Sequence, residues 1–311
     1  MLAAYITIAI LVILAALVLA VSFFCYKIIF RFNYKERFYD DMPIPEVSVY
    51  YPYRDKMNPM MEAFLSDRYE EVYITSPDGK KLCAHYYEFK GGAPLFIFFH
   101  GYKSLPKYDI TGFYSYCKMR GINLLAVYQR GCGKTKTTAV AFGELERKDA
   151  VSWSKWASEK FPGVNIYLTG ISLGAATVLR SSELDPPNVK GIIAECGYTS
   201  CAEAVKNLMK AFNIPLVLYP FVGIAARIYG GFSIHGSCEE ALSKSSIPLL
   251  IIHGEQDAVV PIEMSRRNYA ASRSEIKHFI SVPGAPHGLS YLIDPEGYTR
   301  AVDDFLSETY S

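Results

Sequence analysis

The sequence predicts an α/β fold in which a mostly parallel sheet is covered by helices on both faces. Short apolar segments alternate with amphipathic helical ones after residue 94, at 95–99, 123–128, 165–169, 189–194, 248–252 and 276–282. Parallel strands need long crossover connections, so this alternation is typical of a sheet packed between helices. The chain is 50% hydrophobic and 20% charged, which suits a large folded core.

The N-terminal segment predicts a membrane-spanning helix. Residues 2–24 are almost continuously apolar, and the first 26 residues carry no charged side chain. At 1.5 Å per residue this length crosses a bilayer core of about 30 Å. A cleaved signal peptide is the alternative, but no basic residue precedes the apolar run and no clear small-residue cleavage site follows it. We expect residues 1–26 to be a transmembrane anchor.

Basic residues follow this segment on its C-terminal side only, at Lys27, Arg31, Lys35 and Arg37. The positive-inside rule then predicts a single-pass protein whose large domain is cytoplasmic. Residues 27–67 are expected to form a juxtamembrane linker, because prolines at 43, 45, 52 and 59 disfavour long regular structure.

The remaining chain, 68–311, is predicted to be one domain with an inserted cap. Its first two strands, 69–75 and 82–89, flank the turn sequence Ser-Pro-Asp-Gly and predict an antiparallel edge hairpin. Helices are predicted at 145–161 and 300–306. Residues 198–246 form a long, partly apolar insertion between two strands, interpreted as a cap. Two ordinary surface helices, or a second patch resting on the membrane, are the alternatives.

Charge and cysteine content exclude several function classes. With 32 Lys plus Arg against 31 Asp plus Glu, the net charge of +1 gives no general attraction for nucleic acid. Seven scattered cysteines without a C-x-x-C pair predict free thiols, and the histidine spacing predicts no metal site.

The candidate nucleophile lies in the segment Gly170-Ile171-Ser172-Leu173-Gly174, between a strand-like and a helix-like run. A G-x-S-x-G sequence in that context predicts a nucleophile elbow, in which a sharp turn exposes the serine hydroxyl. The flanking glycines remove side chains that would collide at the turn. Ser172 is therefore the predicted nucleophile.

A serine hydroxyl needs a general base and a group that orients that base. Asp257 follows the predicted strand 248–252, and His287 follows the next strand along the chain. Loops at the carboxyl ends of parallel strands meet at one edge of the sheet, so we assign Asp257 as the orienting acid and His287 as the base. The backbone N–H groups of Tyr102 and Leu173 are predicted to form the oxyanion hole.

Together these segments resemble the α/β-hydrolase superfamily, and in particular its membrane-anchored, serine-aminopeptidase-like branch. The resemblance is carried by GISLG, HGY at 100–102, YQRGCGKT at 128–135, HGEQDAVVP at 253–261 and GAPHG at 284–288, and covers about residues 69–308. It implies the chain order Ser, Asp, His of a hydrolase triad. Gln129 departs from the Asp that relatives often carry, at a position that is usually structural. Glu195 is interpreted as a structural hydrogen-bond partner rather than a substitute for Asp257.

The predicted function is hydrolysis of a carboxylic ester or thioester through an acyl-Ser172 intermediate and without a cofactor, with lipid or lipid-like esters favoured. A peptidase with the same triad is the alternative, in which Glu239 and Glu240 of the cap bind a free amine. A non-catalytic binding protein with a hydrolase fold is a third hypothesis. The sequence leaves the natural substrate and the oligomeric state open.

Overall fold

A computed structural model describes residues 1–31, 43–46, 48–135, 137 and 139–310, apart from the side chain of Thr111. The predicted basic residues Lys35 and Arg37, and much of the linker around them, lie outside the described residues.

The described residues form a sheet of eight strands, whose order is β1-β2-β4-β3-β5-β6-β7-β8. The strands are β1 Glu70–Thr75, β2 Lys81–Tyr87, β3 Leu95–Phe99, β4 Asn123–Tyr128, β5 Ile166–Ile171, β6 Val189–Glu195, β7 Leu249–Gly254 and β8 Lys277–Val282. β1 pairs antiparallel with β2, and β2 pairs antiparallel with β4. The other pairs are parallel. The predicted edge hairpin and the mostly parallel sheet are both confirmed.

Two hydrophobic clusters cover the two faces of this sheet. Neighbouring strand residues alternate between them: Ile97 belongs to one cluster, whereas Phe96 and Phe98 belong to the other. This alternation follows from the two-residue period of a strand. The helices of the domain are α2 Arg54–Ser66, α3 Pro106–Asp109, α4 Thr111–Arg120, α5 Glu146–Lys160, α6 Leu173–Ser181, α7 Cys201–Ala211, α8 Tyr219–Ala225, α9 Cys238–Ser243, α10 Ile262–Ala271, α11 Ser290–Ile293 and α12 Pro295–Thr309.

Helix α1, Leu2–Ile29, is long and apolar enough to cross a membrane. It ends three residues beyond the predicted boundary at residue 26, because its last turns pack on the domain. Cys25 and Ile29 are buried in the core there, whereas most of the preceding residues are exposed. The hydroxyl of Tyr229 donates a hydrogen bond of 3.0 Å to the carbonyl of Leu19. The insertion 198–246 therefore contacts the C-terminal third of α1.

Helix α2 occupies part of the segment in which prolines were expected to prevent regular structure, and that expectation is wrong for residues 54–66. Pro59 lies inside the helix. Met57, Met61 and Phe64 form its buried face, at the spacing of an amphipathic helix. The burial of these side chains outweighs the backbone hydrogen bond that the proline removes.

Candidate active site

The turn between β5 and α6 has the geometry of a nucleophile elbow. Ser172 has φ 57° and ψ −115°, a backbone conformation that residues other than glycine rarely adopt. A side chain at Gly174 would overlap the carbonyl of Phe99, and one at Gly170 would overlap the backbone of Gly174. The two glycines let β5 and α6 meet closely enough to hold Ser172 in this strained turn.

Asp257 and His287 are hydrogen-bonded to each other, with 2.6 Å between His287 Nδ1 and Asp257 Oδ2. The other carboxylate oxygen accepts hydrogen bonds of 2.8 Å from the N–H groups of Val259 and Val260. His253 Nε2 lies 3.2 Å from Oδ2. Burial opposes the charge of Asp257, yet the hydrogen bonds from His253 and His287 hold its pKa well below the usual range. Asp257 is therefore a carboxylate that keeps the proton of His287 on Nδ1.

Ser172 and His287 line one cavity of about 450 Å³, together with Gly101 and Tyr102. The residues that follow His287 and precede Ser172 are in contact. A Cβ built at Gly288 would be 3.1 Å from Ile171 Cγ2. With Nδ1 bonded to Asp257, Nε2 is the ring nitrogen that can accept the proton of the serine hydroxyl.

A second cavity, of about 500 Å³, also reaches Ser172. It runs beneath the insertion 198–246 and is lined mainly by apolar side chains, including Phe142, Leu208, Ala211 and Val260. The first cavity also has a mostly apolar surface, but Lys103, Ser104 and Asp109 are among its lining residues. The candidate nucleophile thus lines both cavities.

The loop that follows β3 is held close to Ser172. A Cβ built at Gly101 would lie 3.5 Å from Ser172 Cβ. The N–H of Gly101 donates to Asp109 at 2.5 Å, and Asp109 also accepts from the hydroxyl of Ser104 at 2.7 Å. Burial raises the pKa of Asp109, and the hydrogen bond from Gly101 opposes that rise. These bonds fix the start of the loop that carries Tyr102.

His100 locks the other side of this loop as a neutral imidazole. Its Nε2 accepts the N–H of Gln129 at 2.9 Å, so its Nδ1 carries the proton and donates to the carbonyl of Gly101 at 2.8 Å. The Gln129 side chain also binds the His100 carbonyl, and it accepts from Thr177 of α6 at 3.2 Å. Gln129 therefore ties this loop to the elbow helix, a structural role.

The neutral state of His100 predicts a pH dependence of stability. Burial lowers the pKa of His100 to about 4 from its usual 6.5, so the unfolded chain binds more protons than the folded protein between these pH values. The free energy of unfolding should fall by about 3 kcal/mol through this residue as the pH drops from near 7 to near 4. Urea unfolding of wild type and of His100→Gln provides the measurement. The difference between their free energies of unfolding should narrow as the pH drops from near 7 to near 4. A constant difference would contradict the assignment.

The side chain of Tyr102 joins this loop to the end of α1. Its hydroxyl donates a 2.8 Å hydrogen bond to the carbonyl of Ile29. Its ring packs 5.1 Å from that of Phe142, which in turn packs 5.8 Å from Phe30. The N–H of Val140 donates to the Phe30 carbonyl at 2.9 Å. The last turn of α1 therefore supports Tyr102 and Phe142, which line the cavity of about 500 Å³.

We expect Tyr102→Phe to lower kcat about tenfold and to leave KM nearly unchanged. The variant keeps the backbone N–H and the ring but loses the bond to Ile29, which should loosen the loop that carries the expected oxyanion-hole N–H. Steady-state kinetics on a soluble ester provide the measurement, with Tyr73→Phe, an exposed tyrosine of β1, as the control. Equal kinetics of Tyr102→Phe and wild type would show that this bond has no influence on the site.

For some residues around the site, the sequence predicted only a structural role or no role at all. His253 was interpreted as a loop former but also contacts Asp257, and its i, i+4 spacing to that residue was the available signal. Asp109 received no role. Glu195 is buried and accepts the N–H of Ser290 at 3.0 Å, in agreement with a structural role. Glu239 and Glu240 of α9 pair with Arg267 and Lys244, so both carboxylates are already engaged by cations.

Two groups of described residues carry metal-ligand atoms within 4.8 Å of one another. One contains Cys196, Asp257 and His287, where a metal would compete with the bond between the carboxylate and the imidazole. The other contains Glu71, Cys83 and His85, where Glu71 is ion-paired with Lys134. In the first group the donor set fits acid-base chemistry better than metal binding.

The sheet topology and the elbow define the class of protein: the chain has the α/β-hydrolase fold. Among solved structures, the esterase Pf2001 of Pyrococcus furiosus superposes with a TM-score of 0.65 over 80% of this chain and 94% of its own. The two sequences are 23% identical, and at that level the likeness concerns the fold alone.

Sequence comparisons agree with this class. The model of the family described as serine aminopeptidase S33 matches residues 222–295. The uncharacterized protein Rv2307c of Mycobacterium tuberculosis is 27% identical over 190 residues, 61% of each chain. Protein ABHD12B of Homo sapiens is 27% identical over 248 residues, which cover 75% of this chain and 66% of that protein. The chain thus spans less than two thirds of the length of these relatives. It has the α/β-hydrolase fold, and part of it is similar in sequence to the serine aminopeptidase S33 family and to these relatives.

Proposed function

We propose that this protein is a serine hydrolase that cleaves a carboxylic ester or thioester through an acyl-Ser172 intermediate. One observation carries the proposal: a hydrogen-bonded Asp257–His287 pair and a strained, elbow-borne serine border the same cavity. A nucleophile, a base and a group that orients the base are the parts that acyl transfer through serine requires.

In the proposed first step, His287 Nε2 takes the proton of the Ser172 hydroxyl as the oxygen attacks the substrate carbonyl. The tetrahedral adduct then collapses, and the imidazolium returns its proton to the departing alcohol or thiol. In the second step His287 takes a proton from water as the water attacks the acyl-serine. The bond to Ser172 Oγ then breaks, the carboxylic acid leaves, and the imidazolium returns the proton to the serine oxygen. Asp257 stays ionised throughout and stabilises the imidazolium.

We assign the backbone N–H groups of Tyr102 and Leu173 as the donors that stabilise the negatively charged oxygen of the adduct. Both residues are neighbours of the nucleophile: Leu173 begins α6, and Tyr102 follows Gly101, which lies against Ser172. The N-terminus of α6 adds a positive field at the same point.

The two cavities suggest where the two portions of a substrate bind on either side of Ser172. The apolar cavity under the insertion suits an acyl chain, and the cavity of about 450 Å³, whose lining includes Lys103 and Ser104, suits the alcohol or thiol portion. Esterase neighbours in structure agree with a small ester substrate. We therefore favour a lipid-like ester, taken up by a cap formed by residues 198–246.

We further propose that residues 1–26 anchor the protein in a membrane, that 27–67 connect this anchor to the domain 68–311, and that the domain is cytoplasmic. The length and apolar character of α1 support the anchor, and the exposed Lys27 and Arg31 at its end support the orientation. Protease accessibility in sealed vesicles tests the side of the membrane.

Hydrolysis of p-nitrophenyl esters of increasing acyl length, compared with aminoacyl anilides, tests the substrate class. The proposal predicts ester hydrolysis that rises with chain length and is lost in Ser172→Ala. A matched variant, Ser243→Ala, changes an exposed serine of α9 and should behave as wild type. Preferential cleavage of the anilides would favour the peptidase alternative, and no Ser172-dependent turnover of either class would favour a binding protein.

A further inference from the structure

The insertion 198–246 exposes a surface that is both apolar and basic. Val217 is 76% exposed, Ile228 56% and Leu216 44%. Large apolar side chains exposed together are unusual on a soluble domain and mark a contact surface. We call this surface, formed by Lys206, Lys210, Leu216, Val217, Arg227 and Ile228, the cap surface.

The charges of the cap surface all have one sign. Lys206, Lys210 and Arg227 are the charged residues between positions 204 and 234, and all three are exposed. The ammonium of Lys206 lies 4.7 Å from the ring centroid of Tyr219, the first residue of α8. This contact joins α7 to α8 and places a basic side chain beside the segment that carries Leu216 and Val217.

The cap surface is also continuous with the apolar helix α1. Tyr229, next to Ile228, packs its ring 5.3 Å from that of Phe23 and 5.8 Å from that of Tyr26. Its hydrogen bond to Leu19 reaches further toward the exposed apolar part of α1. If α1 spans a bilayer, this end of the insertion lies at the lipid boundary.

We propose that the cap surface docks on the same leaflet of the bilayer that α1 enters, with anionic lipids as its preferred partners. Leu216, Val217 and Ile228 contact the acyl region, and the three basic side chains bind lipid phosphate groups. The proposal rests on the membrane-spanning role of α1 and is independent of catalysis.

Docking would place the apolar cavity at the bilayer. Lys210 belongs to the cap surface and also lines the cavity of about 500 Å³ that reaches Ser172. An acyl chain could then pass from the leaflet to the nucleophile without crossing water.

A dye attached at a single introduced cysteine tests the docking in the full-length chain, reconstituted into vesicles. The seven native cysteines are buried, which favours selective labelling of Val217→Cys. Lys155→Cys on α5, where the lysine side chain is 71% exposed, is the matched control. Spin-labelled lipids should quench the dye at 217 strongly and the dye at 155 weakly. Equal quenching at both sites would overturn the proposal, as would burial of position 217 in a cross-linked oligomer.

The lipid charge is tested in the same vesicles. Adding phosphatidylglycerol to phosphatidylcholine should increase quenching at 217 severalfold at low salt. The variant Lys206→Gln/Lys210→Gln/Arg227→Gln should lose this increase while retaining labelling at 217. Quenching at 217 that is independent of lipid charge, with or without the three Gln substitutions, would contradict the role of the three basic residues.

Discussion

Replacement of His287 by alanine should lower kcat for ester hydrolysis by about 10⁴- to 10⁶-fold with little change in KM. The variant removes the proposed acceptor of the Ser172 proton and leaves Asp257 bonded to His253, Val259 and Val260. Binding of the acyl chain depends on the cavity beneath the insertion and should persist. Steady-state kinetics on a short p-nitrophenyl ester provide the measurement.

His278→Ala is the matched control for this variant. His278 is a partly exposed histidine of β8 that bonds Glu308 at 3.0 Å and lies outside both cavities. Its replacement should leave kcat within about twofold of wild type, as is usual for a surface substitution. Comparable losses in both variants would show that His287 acts through folding rather than through chemistry.

Gly174→Ala should destabilise the fold by about 3 kcal/mol or more and greatly reduce the yield of folded protein. The added methyl group would overlap the carbonyl of Phe99 on β3, a backbone atom that a rotamer change does not move. Relief would require separating α6 from the sheet, in the region where the candidate site is formed. Thermal unfolding followed by circular dichroism is the measurement.

Gly223→Ala provides the comparison within the same chain. A methyl group at Gly223, inside α8, would make an ordinary contact of 3.6 Å with Ile234. Alanine also favours helix over glycine by about 0.5–1 kcal/mol, so this variant should be as stable as wild type or more so. A Gly174→Ala protein with the melting temperature of wild type would contradict the close packing at the elbow.

The sequence allowed much of this fold to be predicted because its strands are strongly apolar and its turns carry glycine. Local signals predicted the directions of the strands. The turn at 76–79 indicated an antiparallel hairpin, and the helical crossovers indicated parallel strands. The loops of Asp257 and His287 were assigned to one edge of the sheet by the same reasoning. The structure places the two side chains within hydrogen-bond distance there.

Contacts between distant parts of the chain had no local signal. The bond from Tyr102 to Ile29 joins residues 73 positions apart, and no periodicity in either segment indicates it. Helix α2 was missed because its buried face depends on packing against the domain, which overrides the local effect of Pro59. His253 and Asp257 are four residues apart, but this spacing alone does not show that the imidazole contacts the carboxylate, because the contact depends on how the loop between them folds.

Labelling with a fluorophosphonate, followed by mass spectrometry, tests the central claim most directly. The reagent forms a stable adduct with a serine that an adjacent base has activated. We predict a single modified peptide carrying the adduct on Ser172, loss of labelling in Ser172→Ala, and labelling slowed by orders of magnitude in His287→Ala. Modification of another serine, or equal labelling of wild type and Ser172→Ala, would contradict the account.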